Sequence, residues 1–203
     1  MNRAQLIKAV QARMSDIMPG NQIEVASHPF VDALLNDCVE GFYMILPNNL
    51  LPRVDFSSGT VQAVPSTEVD VYRIQLPEDF VRLIAFRCTA WNRAVTKSVV
   101  EGSPQHQMQF LKHTFGGNTR PVVTIVADPD MGRSVEYYHS TSTTDTSILE
   151  ASCAVKDEIE DMPDILIDGF AWYVASIALQ TMEELDASKA AMLRVEQFIE
   201  NHK

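Results

Sequence analysis

Val71-Tyr72-Arg73-Ile74-Gln75-Leu76-Pro77-Glu78-Asp79-Phe80-Val81-Arg82-Leu83-Ile84-Ala85-Phe86 divides two strand-like runs with a fixed break. Val71, Arg73 and Gln75 alternate with Tyr72, Ile74 and Leu76, the period of two of a half-buried strand. Pro77 then removes a ladder donor and ends the run. A second apolar run, Val81 to Thr89, follows at once. Upstream, Ser57-Ser58-Gly59-Thr60 reads as a tight turn joining Arg53–Phe56 to Val61–Val64 in a hairpin. Downstream, Ala94–Val99, Pro121–Ala127 and Arg133–His139 read as further strands, the last two joined by the turn Asp128-Pro129-Asp130-Met131-Gly132. Between them, Gly102–Lys112 reads as a short helix or a loop, and Phe115-Gly116-Gly117-Asn118 as irregular chain. The polar tract Ser140–Ser147 is either a loop or the exposed end of the last strand. Residues 51–152 therefore form a β-rich domain.

Helical periods flank this centre. Leu6, Ile7, Val10, Met14 and Ile17 form one stripe, with Asn2 as its cap and Pro19-Gly20 as its stop. Ser27-His28-Pro29 opens a second helix through Phe30, Leu34, Cys38, Val39 and Phe42, ending near Leu46. Asp161-Met162-Pro163 opens the most apolar helix, with Ile165, Leu166, Phe170, Tyr173, Val174, Ile177, Ala178 and Met182 on a broad face. Asp186-Ala187-Ser188 marks a turn before a last helix through Ala191, Val195, Phe198 and Ile199. The expected fold is α+β: helices from residues 1–50 and 153–203 pair as a bundle beside a central antiparallel β-domain at 51–152.

At 203 residues the chain can bury roughly 70% of its unfolded surface. A hydrophobic content of 46% excludes an intrinsically disordered chain. No apolar run reaches the ~20 residues of a membrane span. The start, Met1–Lys8, lacks the apolar core of a signal peptide, so synthesis in a cytoplasm is expected. Cys38, Cys88 and Cys153 are odd in number and far apart, as buried hydrophobes are, and the five histidines lack the spacing of a metal-binding helix. Neither a metal nor a cofactor is expected. The net charge of −11 argues against affinity built on phosphate neutralisation. That charge is uneven: residues 151–203 hold 11 acids against 4 bases, while residues 77–127 hold six bases (Arg82, Arg87, Arg93, Lys97, Lys112, Arg120) against three acids. Such a split is either two solvated faces or a pair of complementary contacts between neighbouring copies.

Catalytic signatures are missing. Glu78-Asp79, Asp128 with Asp130, and Glu158 with Glu160 are acids in positions typical of caps and solvated faces. Gly116-Gly117 lacks the frame of a phosphate-binding loop, and no nucleophile elbow is present. Among the aromatics, Trp172 lies on the most apolar helix and is expected in the core. Trp91 stands just past a strand end with Arg93 two residues on; it either packs in the core or, as an exposed aromatic beside a cation, anchors a protein contact. Trp91, Arg93, Arg87, Tyr137 and Tyr138 are the candidate interface residues.

The strand, Leu76-Pro77-Glu78-Asp79-Phe80, strand, Trp91 sequence, set between helices and followed by Asp164-Ile165-Leu166-Ile167-Asp168-Gly169-Phe170-Ala171-Trp172, resembles the head-to-tail connector (adaptor) proteins of short-tailed phages. It is most similar to the ring proteins of crAss-like phages, over about Asp32 to Glu184. The resemblance implies a non-enzymatic virion protein at the head–tail junction. It further implies a homo-oligomeric ring, a dodecamer in known members, that docks beneath the portal, seats other tail or ring proteins, retains the genome and lets DNA pass without specific binding. A scaffold or binding protein of the same fold in the cytoplasm, and an enzyme whose site is built from scattered residues, are the competing readings.

Overall fold

The computed structural model describes residues 2–18, 28–64, 70–109, 120–139, 147–156 and 158–203. Its elements follow in chain order as α1 (Arg3–Ile17), α2 (His28–Ile45), β1 (Val54–Asp55), β2 (Val61–Val64), β3 (Asp70–Gln75), β4 (Phe80–Cys88), α3 (Pro104–Gln109), β5 (Val123–Asp128), β6 (Gly132–His139), β7 (Ile148–Val155), α4 (Ile167–Thr181) and α5 (Leu185–Asn201). The chain is mixed α+β, with two antiparallel sheets ordered β1-β7-β4 and β2-β3-β6-β5. It divides into two compact units, one of residues 1–52 and 156–203 and the other of residues 53–155.

In the helical unit, α1 begins with a capping box. The Asn2 side chain accepts from the Ala4 N–H at 2.7 Å, and the Asn2 N–H donates to Gln5 Oε1 at 3.2 Å. The stripe read from the sequence is the buried face: Leu6, Ile7, Val10 and Met14 are all at most 2% exposed. From α2, Val31, Leu35, Val39 and Phe42 are buried, and Phe42 packs its ring on Phe170 (5.4 Å) and Tyr173 (5.6 Å) of α4. α4 packs on α1, α2 and α5. Its first turn meets α5 closely: a Cβ on Gly169 would lie 2.6 Å from the Phe198 ring, so only glycine permits this approach.

The sequence places the start of this helix at Pro163, and the structure corrects that. Two 3-10 turns, Ile159–Asp161 and Asp164–Leu166, precede α4, burying Ile159, Met162 and Leu166. The break before α5 lies at Met182–Glu184, with Glu183 at φ 65, rather than at residues 186–188, which form the first turn of α5. The expected stop at Pro19-Gly20 and the Ser27 cap fall outside the described residues, as do Phe115–Asn118 and Ser140–Thr146.

In the other unit, Leu76-Pro77 ends β3 as read, and the Phe80 N–H closes a tight turn onto the Pro77 carbonyl at 3.2 Å before β4 starts. The hairpin expected across residues 57–60 does not form. β1 pairs with β7 (Val54↔Cys153), whereas β2 pairs with β3 (Val61↔Ile74). Asp55 turns the chain by accepting from the Ser57 N–H at 2.7 Å, the Phe56 N–H reaches the Ala151 carbonyl, and the chain leaves one sheet for the other. A turn was legible there, but which strands it joins is a long-range choice. Ala94–Val99 is likewise not a strand; only Val95 and Val99 form isolated bridges, to Phe86 and Thr124. β7, for which the sequence carries no strand signal, is the central strand of its sheet. Phe56, Ile74, Leu76, Phe80, Leu83, Phe86, Trp91, Val123, Val135, Tyr137 and Cys153 belong to one core.

Candidate functional site

Residues paired across an antiparallel ladder share a face. In β2-β3-β6-β5, Tyr72 opposes Tyr137, Ile74 opposes Val135 and Val123 opposes Tyr137, which makes one face apolar. On the other, Arg73 and Thr124 both oppose Glu136, so this face carries a charge in the middle of the sheet. Glu136 is only 4% exposed. Its Oε2 accepts from Arg73 Nε and Nη2 at 2.9 and 2.7 Å, and its Oε1 from the Tyr138 hydroxyl at 2.7 Å and from His106 Nε2 at 3.3 Å. Arg73 Nη1 donates to Asp128 Oδ2 at 2.6 Å, while Asp128 Oδ1 accepts from the Asp130 and Met131 N–H groups in the β5–β6 turn. The turn-capping role expected for Asp128 is therefore present, with an ion pair added.

Burial alone would raise the Glu136 carboxyl, but the Tyr138 hydroxyl, Arg73 and His106 outweigh it and hold it below its ordinary value. Asp128 is lowered by the backbone N–H of Asp130 first and the Arg73 guanidinium next. Burial chiefly, and then the bond to Glu136, push the Tyr138 phenol up. His106 Nδ1 accepts from the Gly102 N–H at 3.0 Å, so Nε2 carries the proton that Glu136 receives. Both ring nitrogens and both carboxylate oxygens are occupied. The arrangement holds a buried charge in place and, through His106, pins α3 to β6. Sequence reading missed this cluster, although a charge at the centre of each of two alternating runs, Arg73 and Glu136, was its signal.

The candidate interface residues divide. Trp91 is 2% exposed, packed edge-on against Phe86 (5.7 Å) and Tyr137 (6.2 Å), with its indole N–H donating to the Tyr138 carbonyl at 3.2 Å. Tyr137 is 0% exposed and Tyr138 5%. Arg87 is half-buried, its Nε donating to the Trp91 carbonyl at 3.1 Å. Trp91 and Tyr137 belong to the core, Tyr138 is buried on the other face of the sheet against Glu136, and Arg87 holds the loop backbone. The expectation that Trp91, Tyr137 and Tyr138 present an aromatic surface is therefore corrected: the loop after β4 folds back and turns Trp91 inward. Arg93 alone of the five is exposed. Trp172, expected in the core, is only partly buried and carries the Arg13 guanidinium over its ring at 5.2 Å.

Cys38, Cys88 and Cys153 are buried, and burial pushes their thiols up, to about 11 for Cys38 and Cys153, so they are thiols rather than thiolates at neutral pH. Among the described residues no three His, Cys, Asp or Glu side chains are placed to hold a metal ion, and no helix is long and apolar enough to cross a membrane. A shallow depression of about 420 Å³ lies along Leu193, Glu196, Gln197, Glu200 and Asn201, all on α5. Charge separates by unit: residues 1–52 and 156–203 hold 16 acids against 7 bases, net −9, and residues 53–155 hold 11 against 9, net −2. Comparison of the chain with models of known families and with curated proteins gives no match.

Proposed function

We propose that this chain is a non-enzymatic structural subunit of a phage virion, one copy in a homo-oligomeric ring that connects the portal to the tail. The observation that carries the reading is the chain order: helices of one unit on either side of a strand-rich unit whose strands β3 and β4 are divided by Leu76-Pro77-Glu78-Asp79-Phe80. That order is similar to the connector proteins of short-tailed phages. In this reading the helices before and after residues 53–155 form one bundle and the β-unit is an insertion in it. The acidic balance supports passage of DNA, because carboxylates facing a lumen repel phosphate and let a duplex slide. The ring docks on the portal and seats further tail or ring proteins, at the head–tail junction of the virion. Its assembly uses surfaces rather than a catalytic group.

Mass spectrometry of intact virions and electron microscopy of the purified chain, alone and with portal, test this. The expected result is a closed ring, twelvefold on the portal, with the chain present at that copy number in virions. A chain absent from virions, or one held there as an isolated monomer, overturns the reading.

A further inference from the structure

The ring reading leaves open which surfaces meet, and two surfaces of this chain carry opposite charges that find no partner among the described residues. In the strand-rich unit, the loop after β4 exposes Arg93, Lys97 and Val100, the last at 77%. Among the described residues Arg93 and Lys97 make no ion pair within the chain; Glu101 at the loop's far end is its only acid. Bridges at Val95 and Val99 tie the loop to Phe86 and Thr124, so its cations sit on a fixed backbone.

In the helical unit, the 3-10 turns before α4 expose Glu160, Asp161 and Asp164 around Ile165, which is 53% exposed. Among the described residues none of these three acids meets a cation of its own chain, whereas Asp168, one turn on, is taken by Arg13 at 2.6 Å. Ile159, Met162 and Leu166, buried beneath, hold this segment rigid.

Resting on the ring reading, we propose that Arg93, Lys97 and Val100 of one copy seat against Asp161, Asp164 and Ile165 of the next. The occupant is a second copy because each surface supplies what the other lacks, an apolar side chain flanked by unpaired charge of the opposite sign. Because the two surfaces differ and belong to different units, the contact is head-to-tail, the kind that closes a ring instead of stopping at a pair. In a chain of net charge −11, opposite patches at this spot also offset the repulsion between copies.

The test uses the full chain. R93E/K97E and D161K/D164K change only exposed side chains and leave both cores intact. Each pair is expected to weaken self-association at least about tenfold by sedimentation, and the four changes together restore it, since every contact then meets reversed charge on both sides. In parallel, V100C and I165C are mixed under oxidation. Disulfide-linked dimers are expected from the mixture in excess of either variant alone, the native cysteines being buried. If the wild type associates but the charge variants associate equally well and no cross-link forms, this pairing is wrong and the ring reading stands. If the wild type is monomeric both alone and on portal, the ring reading falls and takes the pairing with it.

Discussion

Trp91 and Trp172 exchange the roles that their sequence contexts suggest. Trp91 follows a strand end beside exposed polar residues, yet its indole fills the core between Phe86 and Tyr137 and its N–H is satisfied by a carbonyl. Trp91→Ala is expected to cost about 3–5 kcal/mol in urea unfolding, the range for deleting a buried aromatic. Trp172 lies on the most apolar helix but keeps part of its surface in water beneath Arg13. Trp172→Ala should cost only about 1–2 kcal/mol, from a cation–π contact and partial burial; equal losses for the two would sink this assignment. Glu136 sets a pH dependence whose sign is fixed. Its carboxyl is held below the ordinary value in the folded chain, so its contribution is present above the unfolded value of about 4.3 and is lost as pH falls through the folded one. Glu136→Gln should therefore destabilise by roughly 3 kcal/mol at neutral pH, leaving Arg73 half-paired. The gap from wild type should close below about pH 4. A gap that stays constant down to pH 3 would show that the charge is not what matters.

Elements whose signals are local follow the sequence closely, and those chosen by distant partners do not. The Asn2–Gln5 box, the α1 stripe and the break at Leu76-Pro77 are each set by a few neighbouring residues, and each is in place. Asn2→Ala should cost about 1 kcal/mol, read as lower helicity and faster amide exchange in the first turn of α1. By contrast, Ser57-Ser58-Gly59-Thr60 specifies a change of direction but no pairing, and β1 is claimed by β7, nearly a hundred residues on. β7 was illegible because Ala151, Ser152, Cys153 and Ala154 are small and carry no strand bias; burial against β4 and β1 makes them a strand. The buried cluster is half legible: the turn context of Asp128 marks it as a cap, which it is, but nothing local announces that Arg73, Glu136 and His106 meet. Gly169 is a close-packing residue of the same kind. Gly169→Ala would drive a methyl into the Phe198 ring and should cost about 1–3 kcal/mol, with fluorescence or exchange changes centred on α4 and α5.

At the scale of the whole molecule, the division into two compact units cuts across chain order: one is assembled from residues 1–52 and 156–203. α4, which buries the apolar faces of both α1 and α2, is encoded more than 120 residues after them. A ribosome from which β7 has just emerged has released every strand of residues 53–155, while α1 and α2 still lack the partner that covers them. During synthesis their stripes of Leu6, Ile7, Val10, Val31, Leu35 and Phe42 remain open to solvent, or to chaperones, until α4 is made. A fragment ending at Val155 should accordingly keep slow amide exchange in β3 to β7 and lose it throughout α1 and α2; protection persisting in those two helices would contradict the dependence. Nonsense or frameshift changes between β7 and α4 would thus cost the cell α1 and α2 as well, and the fate of helices made early is decided by two made after the strands.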